Sequence, residues 1–391
     1  MKKLFNIKIL ILLLIFITLN SCTEQYVFQT NTFEDAIVVE ATITNEFKKQ
    51  EIKISRTYRF EDTEPKFETG ATVYITDDLG NQYLFEEEAE SYISVNAFQA
   101  SSGRSYRLNI TTNQGKTYTS TTESLTTINE INNITTNVVT KDGERGVQIN
   151  VESFDPNFAS KYYRYEYEEA YKIIAPKWVR NEAIVTGPEQ IGIQPITSET
   201  KTCYSIKKST DIMLSSTTDL NEDRENFPIR FISNQNYIIT HRYSILVKRY
   251  VENLAAYTFY KTLKEISASG SVLSQNQPGF FYGNIKSVEN HNEKAIGFFE
   301  VASISTKRIF FNYTDVFPQE PLPPYYNKCE ELVLYFCFGI PPCAGDGIIQ
   351  DIEAHTLTYY FNDGIIYHMY EAPCGDCTTF SSNIKPLFWI D

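Results

Sequence analysis

Residues 70–85 read GATVYITDDLGNQYLF, two runs of β-branched and aromatic residues on either side of Asp77-Asp78-Leu79-Gly80-Asn81. Gly80 and Asn81 can supply the positive φ that a tight turn needs, so the stretch predicts a hairpin. Similar units recur in DAIVVEATIT (35–44), EIKISRTYRF (51–60) and SYISVNAFQASSGRSYRLNITTNQGKTYTST (91–121). In EIKISRTYRF, Ile52 and Ile54 fall on one face and Lys53 on the other. Strands spaced about 8–12 residues apart, with turn signals between them, predict an antiparallel β-sandwich over residues 33–125. The 27 Tyr and 26 Phe of the chain suit half-buried pleated surfaces and extend the mainly β expectation to the rest. Asp77, Asp78 and Asn81 also have the chemistry of Ca²⁺ ligands. Their loop lacks the alternating spacing and distal Glu of an EF-hand, so a plain turn is the preferred reading.

SLTTINEINN (124–133) marks the join to a second, larger β-rich domain over 126–391. In KYYRYEYEEAYKII (161–174), Tyr163, Tyr165 and Tyr167 share one face, opposite Tyr162, Arg164, Glu166 and Glu168. A tyrosine ladder of this kind can stack on sugar rings or fill a sandwich core; the core is the preferred reading. Tyr162, Tyr171 and Trp178, the last in a loop-like stretch just beyond, are the candidate ligand-binding aromatics. One helix is predicted, over 253–269. Ala256, Phe259, Leu263 and Ile266 make its apolar stripe, Asn253 caps the start and Gly270 ends it. The stripe is expected to dock on the second sheet.

The first residues read as an address. Lys2, Lys3 and Lys8 precede an apolar run from Ile9 to Leu19, too short for the roughly 20 residues of a membrane span. The run ends in Leu19-Asn20-Ser21-Cys22, which resembles a bacterial lipobox. This predicts a lipoprotein signal peptide over 1–21, acylation of Cys22, and a polar tether over 22–32. Two or more acyl chains hold a protein stably on a membrane. Loss of the three leader lysines would take the formal charge from −14 to about −17. Such a balance argues against nucleic acid as a partner.

Six cysteines remain: Cys203, Cys329, Cys337, Cys343, Cys374 and Cys377. An even number in an exported chain predicts disulfides, with the connectivity left open. Cys374-Gly-Asp-Cys377 also has the spacing of a redox dithiol or, with Cys337 and Cys343, of a zinc site. An oxidising compartment and a β hairpin in place of a βαβ setting favour structural bridges, which would staple the Pro-rich segment 317–347 and the C-terminal tail. His355 and His368 lie at the two ends of a predicted hairpin with Asn362-Asp363-Gly364 as its turn. A metal there needs further ligands that the stretch does not offer. Neither a G-x-S-x-G elbow, nor a P-loop, nor H-E-x-x-H occurs. A hydrolase built on paired carboxylates, such as Asp363 with a Glu, is the weakest reading, since 49 acids supply many chance pairs. No cofactor, no metal and no enzymatic activity are expected.

The chain resembles the Bacteroidota lipoproteins grouped as domain of unknown function 4249. The resemblance rests on the lipobox and then on IVVEATIT, IKISRTYRF, ETGATVYITDDLGNQYLF, YRLNITTNQGKTYTS, YYRYEYEEAYKI, RYSILVKRYVENLAAYTFYKTLKE, YGNIKS, AIGFFEVASISTKRIFF and CGDCTTF…KPLFW, in that order. The region from Cys329 to Cys343 departs from the pattern and reads as a local insertion. The resemblance implies an outer-membrane lipoprotein whose first domain is immunoglobulin-like or carboxypeptidase-regulatory-like, encoded alongside TonB-dependent transporters. It brings no catalytic residues with it. Glu24 is the only acid close behind Cys22, so neither face of the outer membrane is singled out. The expected function is that of a non-enzymatic accessory to an outer-membrane β-barrel transporter. The alternative is a stand-alone surface protein that binds a glycan or peptide.

Overall fold

The computed structural model describes residues 36–57, 66–268 and 283–391. Cys22, the leader and the tether lie outside the described residues, as do the end of the predicted helix at 269 and Gly270. The first nine strands are β1 (Ile37–Thr44), β2 (Glu51–Arg56), β3 (Lys66–Phe67), β4 (Thr72–Asp77), β5 (Gln82–Glu88), β6 (Ser91–Ser94), β7 (Ser105–Thr111), β8 (Thr117–Ser120) and β9 (Glu123–Ser124). Their inward positions alternate, as the period of a half-buried strand requires: Ile52 and Ile54 are fully buried and Lys53 is exposed.

The next nine strands are β10 (Asn133–Lys141), β11 (Glu144–Asp155), β12 (Tyr162–Ile174), β13 (Asn181–Gly187), β14 (Gln190–Pro195), β15 (Thr202–Lys208), β16 (Met213–Ser216), β17 (Asp223–Ser233) and β18 (Arg242–Glu252). Helix α1 (Leu254–Ala268) follows directly, its first turn capped by Asn253 Oδ1 accepting from the Ala256 amide at 2.8 Å. Ala256 is buried and Phe259 packs on Phe298, so the predicted stripe docks as expected, with Tyr260 joining it. Beyond lie β19 (Ile285–Ser287), β20 (Ala295–Asn312), α2 (Tyr313–Val316), β21 (Leu332–Tyr335), α3 (Gly345–Glu353), β22 (Leu357–Asp363), β23 (Ile366–Glu371) and α4 (Ala372–Gly375).

Strand β20 organises the molecule. Its first half runs parallel to β1, with Ile37 opposite Ala295, and its second half runs antiparallel to β18, with Val251 opposite Ser303. One continuous sheet therefore passes from the first core to the second. Ile285, Ala295, Phe299 and Val301 sit in the first core with Ile37, Tyr92 and Tyr118. A division of the chain at 125/126 thus leaves a later segment with the first unit in space. Asn284 ties β19 back to β20: its Nδ2 donates to Phe299 O at 2.8 Å and its Oδ1 accepts from Phe299 N at 2.7 Å. A Cβ at Gly297 would lie 2.0 Å from Val39 O, and the φ of +132° there is one that L side chains avoid, so this crossing needs glycine.

The second core lies between the β12–β18–β20 part of the long sheet and a separate sheet ordered β10–β11–β17. Tyr163, Tyr165 and Tyr171 point into it beside Val147, Ile149, Val151, Ile245 and Val247, which matches the core reading of the ladder. Two elements were not foreseen. Residues 181–195 form the β13–β14 hairpin where a loop was expected, and α3 adds a helix that buries Ile348 and Ile352. Both pack with the small sheet ordered β21–β23–β22 into a third, minor core.

Candidate functional site

The six cysteines pair as Cys203–Cys377, Cys329–Cys374 and Cys337–Cys343. The C-x-x-C residues thus serve different partners, and the motif is neither a dithiol nor part of a thiolate site. Cys377 joins the tail to β15, Cys329 joins the Pro-rich segment to α4, and Cys337–Cys343 closes a loop at Phe338-Gly339-Ile340-Pro341-Pro342.

Above that loop, the small sheet buries one face and shows the other. Leu334, Tyr359, Tyr367 and Met369 face the minor core. On the outer face, Val333 stands opposite His368, and His368 opposite Phe361. The His368 and Phe361 rings stack at 3.9 Å, and Glu331 Oε1 lies 2.6 Å from His368 Nδ1 at the rim. Val333, Tyr335, Phe361 and Ile365 are 49, 38, 43 and 56 % exposed, and Phe338 and Ile340 in the loop are 38 and 86 % exposed. This is an apolar face on a frame held by two disulfides and three strands. Sequence reasoning missed it because the alternation of β21–β23 was not separated into an inner and an outer set.

The predicted aromatics are not brought together. Tyr171 is buried in the second core, its hydroxyl 3.4 Å from that of Tyr237. Trp178 packs on that core half-buried, and its Nε1 donates to Thr200 Oγ1 at 3.0 Å. Tyr162 lies on the opposite face of β12 against the Tyr257 ring of α1. The three therefore form no platform. The tip of the first hairpin is a turn. Asp77 accepts from the Leu79 and Asn81 amides at 3.0 and 2.9 Å, and Arg104 bonds to both Asp77 and Asp78. His355 is exposed away from His368, and Asp363 is exposed at its hairpin turn. Among the described residues no three metal-ligating side chains converge.

Carboxylates do converge on Arg164, on the face of β12 opposite the tyrosine ladder. Arg164 Nε is 2.7 Å from Glu252 Oε1, Nη1 is 2.7 Å from Glu166 Oε1, and Nη2 bonds to Glu300. The Tyr250 and Tyr260 rings lie 4.1 and 4.5 Å from its guanidinium, and Thr42 Oγ1 of β1 donates to Glu300 at 2.7 Å. Burial, followed by the adjacent Glu300 charge, pushes Glu252 well above the usual carboxylate range. Burial acts in the same sense on Glu300, but the Arg164 charge and the hydrogen bonds with Glu252, Thr42 and Arg164 together outweigh it and keep Glu300 below that range. Arg164, Glu252 and Glu300 are buried among α1, β1, β12, β18 and β20 while Glu166 is 42 % exposed at the edge, so the chemistry of the cluster is that of a clamp between units.

The family described as Domain of unknown function (DUF4249) matches residues 23–308, a span that takes in the first core and most of the second and ends before Phe311, Tyr313 and Phe317. No curated protein matches the chain.

Proposed function

The chain belongs to the family described as Domain of unknown function (DUF4249), and from that membership we propose that it is a lipid-anchored outer-membrane lipoprotein of the Bacteroidota. In this reading it works without catalysis, as an accessory and ligand-capture partner of a TonB-dependent transporter. The anchor is the acylated Cys22. No helix among the described residues is long and apolar enough to cross a membrane. The observation that carries the reading is the outer face of β21–β23–β22. Rigid, contiguous apolar surface at a solvent boundary is what a protein partner covers. Tethering to the bilayer raises the effective concentration of a membrane-embedded partner near that face.

The test is recovery of a β-barrel protein with the tagged lipoprotein from mildly solubilised outer membranes. A Val333→Asp/Phe361→Asp double variant should recover roughly tenfold less barrel or worse, the loss expected when a central apolar contact is removed. Equal recovery by the variant, or no barrel with the wild type, would refute the assignment.

One observation favours the stand-alone reading instead. Tyr326, in the Pro-rich segment, is 44 % exposed, with its ring 4.6 Å from Phe380 and 5.8 Å from Tyr237. Binding on a glycan array that is lost in Tyr326→Ala would shift the proposal to a surface glycan binder.

A further inference from the structure

At the end of the second sandwich farthest along β20, a cavity of about 400 Å³ opens between β12, the start of β18 and α2. Three basic side chains line it: Lys172, His241 and Arg242. Arg242 is the informative one. Arg164 and Arg308 on the same sheet pair with glutamates, as does Arg230 on β17 of the facing sheet, while the fully buried Arg249 of β18 donates to Asn129 O at 2.8 Å. Arg242 has a single hydrogen bond, from Nη1 to Asn312 Oδ1 at 3.2 Å, and the Phe310 ring at 5.1 Å from its guanidinium. No carboxylate of the described residues lies in ion-pair range of it. Its Nε and the neighbouring Thr240 Oγ1 are buried and have no hydrogen-bond partner among those residues. Lys172 meets only Asp391, at 3.9 Å, and that carboxylate is taken first by Lys385. A formal charge of −14 leaves abundant acid elsewhere, so a cation without a counter-ion inside a cavity is not a matter of supply.

We propose that this cavity is a binding site for a small organic anion, whose carboxylate or phosphate group sits on Arg242 and Lys172. The guanidinium offers a planar fork of donors matched to an oxyanion. Ile174, Leu322 and the Tyr313 ring supply an apolar wall for a short carbon body, and the volume suits a molecule of metabolite size. Asp391 stands at the lip and weakens the site by its negative charge. The inference is independent of the outer face of β21–β23–β22 and holds whether or not a transporter is found.

Titration calorimetry on the full mature protein tests it, with succinate and inorganic phosphate as probes and succinamide as the neutral control. Saturable binding of at least one anion and none of succinamide is expected; which anion binds distinguishes a carboxylate from a phosphate site. Arg242→Met should weaken binding roughly ten- to hundredfold, the usual effect of losing a charge-assisted hydrogen-bonded partner. Asp391→Asn, with the fold unperturbed at the chain end, should strengthen it. Absence of binding to both anions, or affinities unchanged in Arg242→Met and Asp391→Asn, would overturn the proposal.

Discussion

Arg164 has one charge and three carboxylates around it, and the imbalance falls hardest on Glu252, whose pKa is raised well above the usual range by burial and the Glu300 charge. Removing either partner of a buried pair outright costs about 3–5 kcal/mol and reports little beyond disruption. Glu252→Gln is more telling, because glutamine keeps the neutral hydrogen-bonding shape and cannot titrate. Folding raises the Glu252 pKa above the ordinary glutamate value of 4.5. Its contribution to stability is thus complete below that unfolded value and is lost as pH rises through the folded one. The melting temperature of Glu252→Gln relative to wild type should therefore climb as the pH rises above about 4.5. A difference that stays flat or falls across that range would show that Glu252 is ionised in the fold. Glu300 acts in a separate window, since its lowered pKa gives stability above 4.5 that is lost in acid. None of this was legible locally. Alternation placed Tyr162, Arg164, Glu166 and Glu168 on one face of β12 but does not say what covers that face; α1 and β1 arrive from elsewhere in the chain.

At the scale of elements, spacing and turn chemistry carried much of the first unit. Asp77 to Asn81 turns as expected, and β12 puts its tyrosines inward as its period requires. The misses have physical causes. Gly187-Pro188-Glu189 looks like loop, yet it is the tip of the β13–β14 hairpin, with Glu189 at φ 57°. Helix α3 begins Gly345-Asp346-Gly347, residues that argue against a helix, and it forms because Ile348 and Ile352 find the minor core. Disulfide pairing was open in the sequence because bridges depend on the final fold. The pairings now make a graded prediction. Cys203–Cys377 spans 174 residues and Cys337–Cys343 spans 6. Loop-entropy arguments assign roughly 5 kcal/mol to the first and roughly 2 kcal/mol to the second. In urea titrations the Cys203→Ala/Cys377→Ala protein should lose more stability than Cys337→Ala/Cys343→Ala. The reverse order would mean that the tail is not held to β15 as described.

Across the whole molecule, β20 couples two cores that the sequence presents as successive. A strand-rich stretch at 295–311 was visible, but its parallel pairing with β1 was not, because nothing in the local pattern of either strand names so distant a neighbour. Near the proposed docking face, Cys203–Cys377 fastens the tail to β15 of the long sheet and Cys329–Cys374 ties the Pro-rich segment to α4, and the first strand of the long sheet's first core follows closely on the proposed anchor. The partner, the docking face and an oxidising setting for three bridges all depend on that anchor. Intact-mass spectrometry of the protein expressed in a bacterium that processes lipoproteins is the most direct test. The account predicts a membrane-fraction species that begins at Cys22 and carries acyl chains, and a Cys22→Ala variant that loses them. A soluble, unacylated product, or a wild-type chain that keeps residues 1–21, would contradict it.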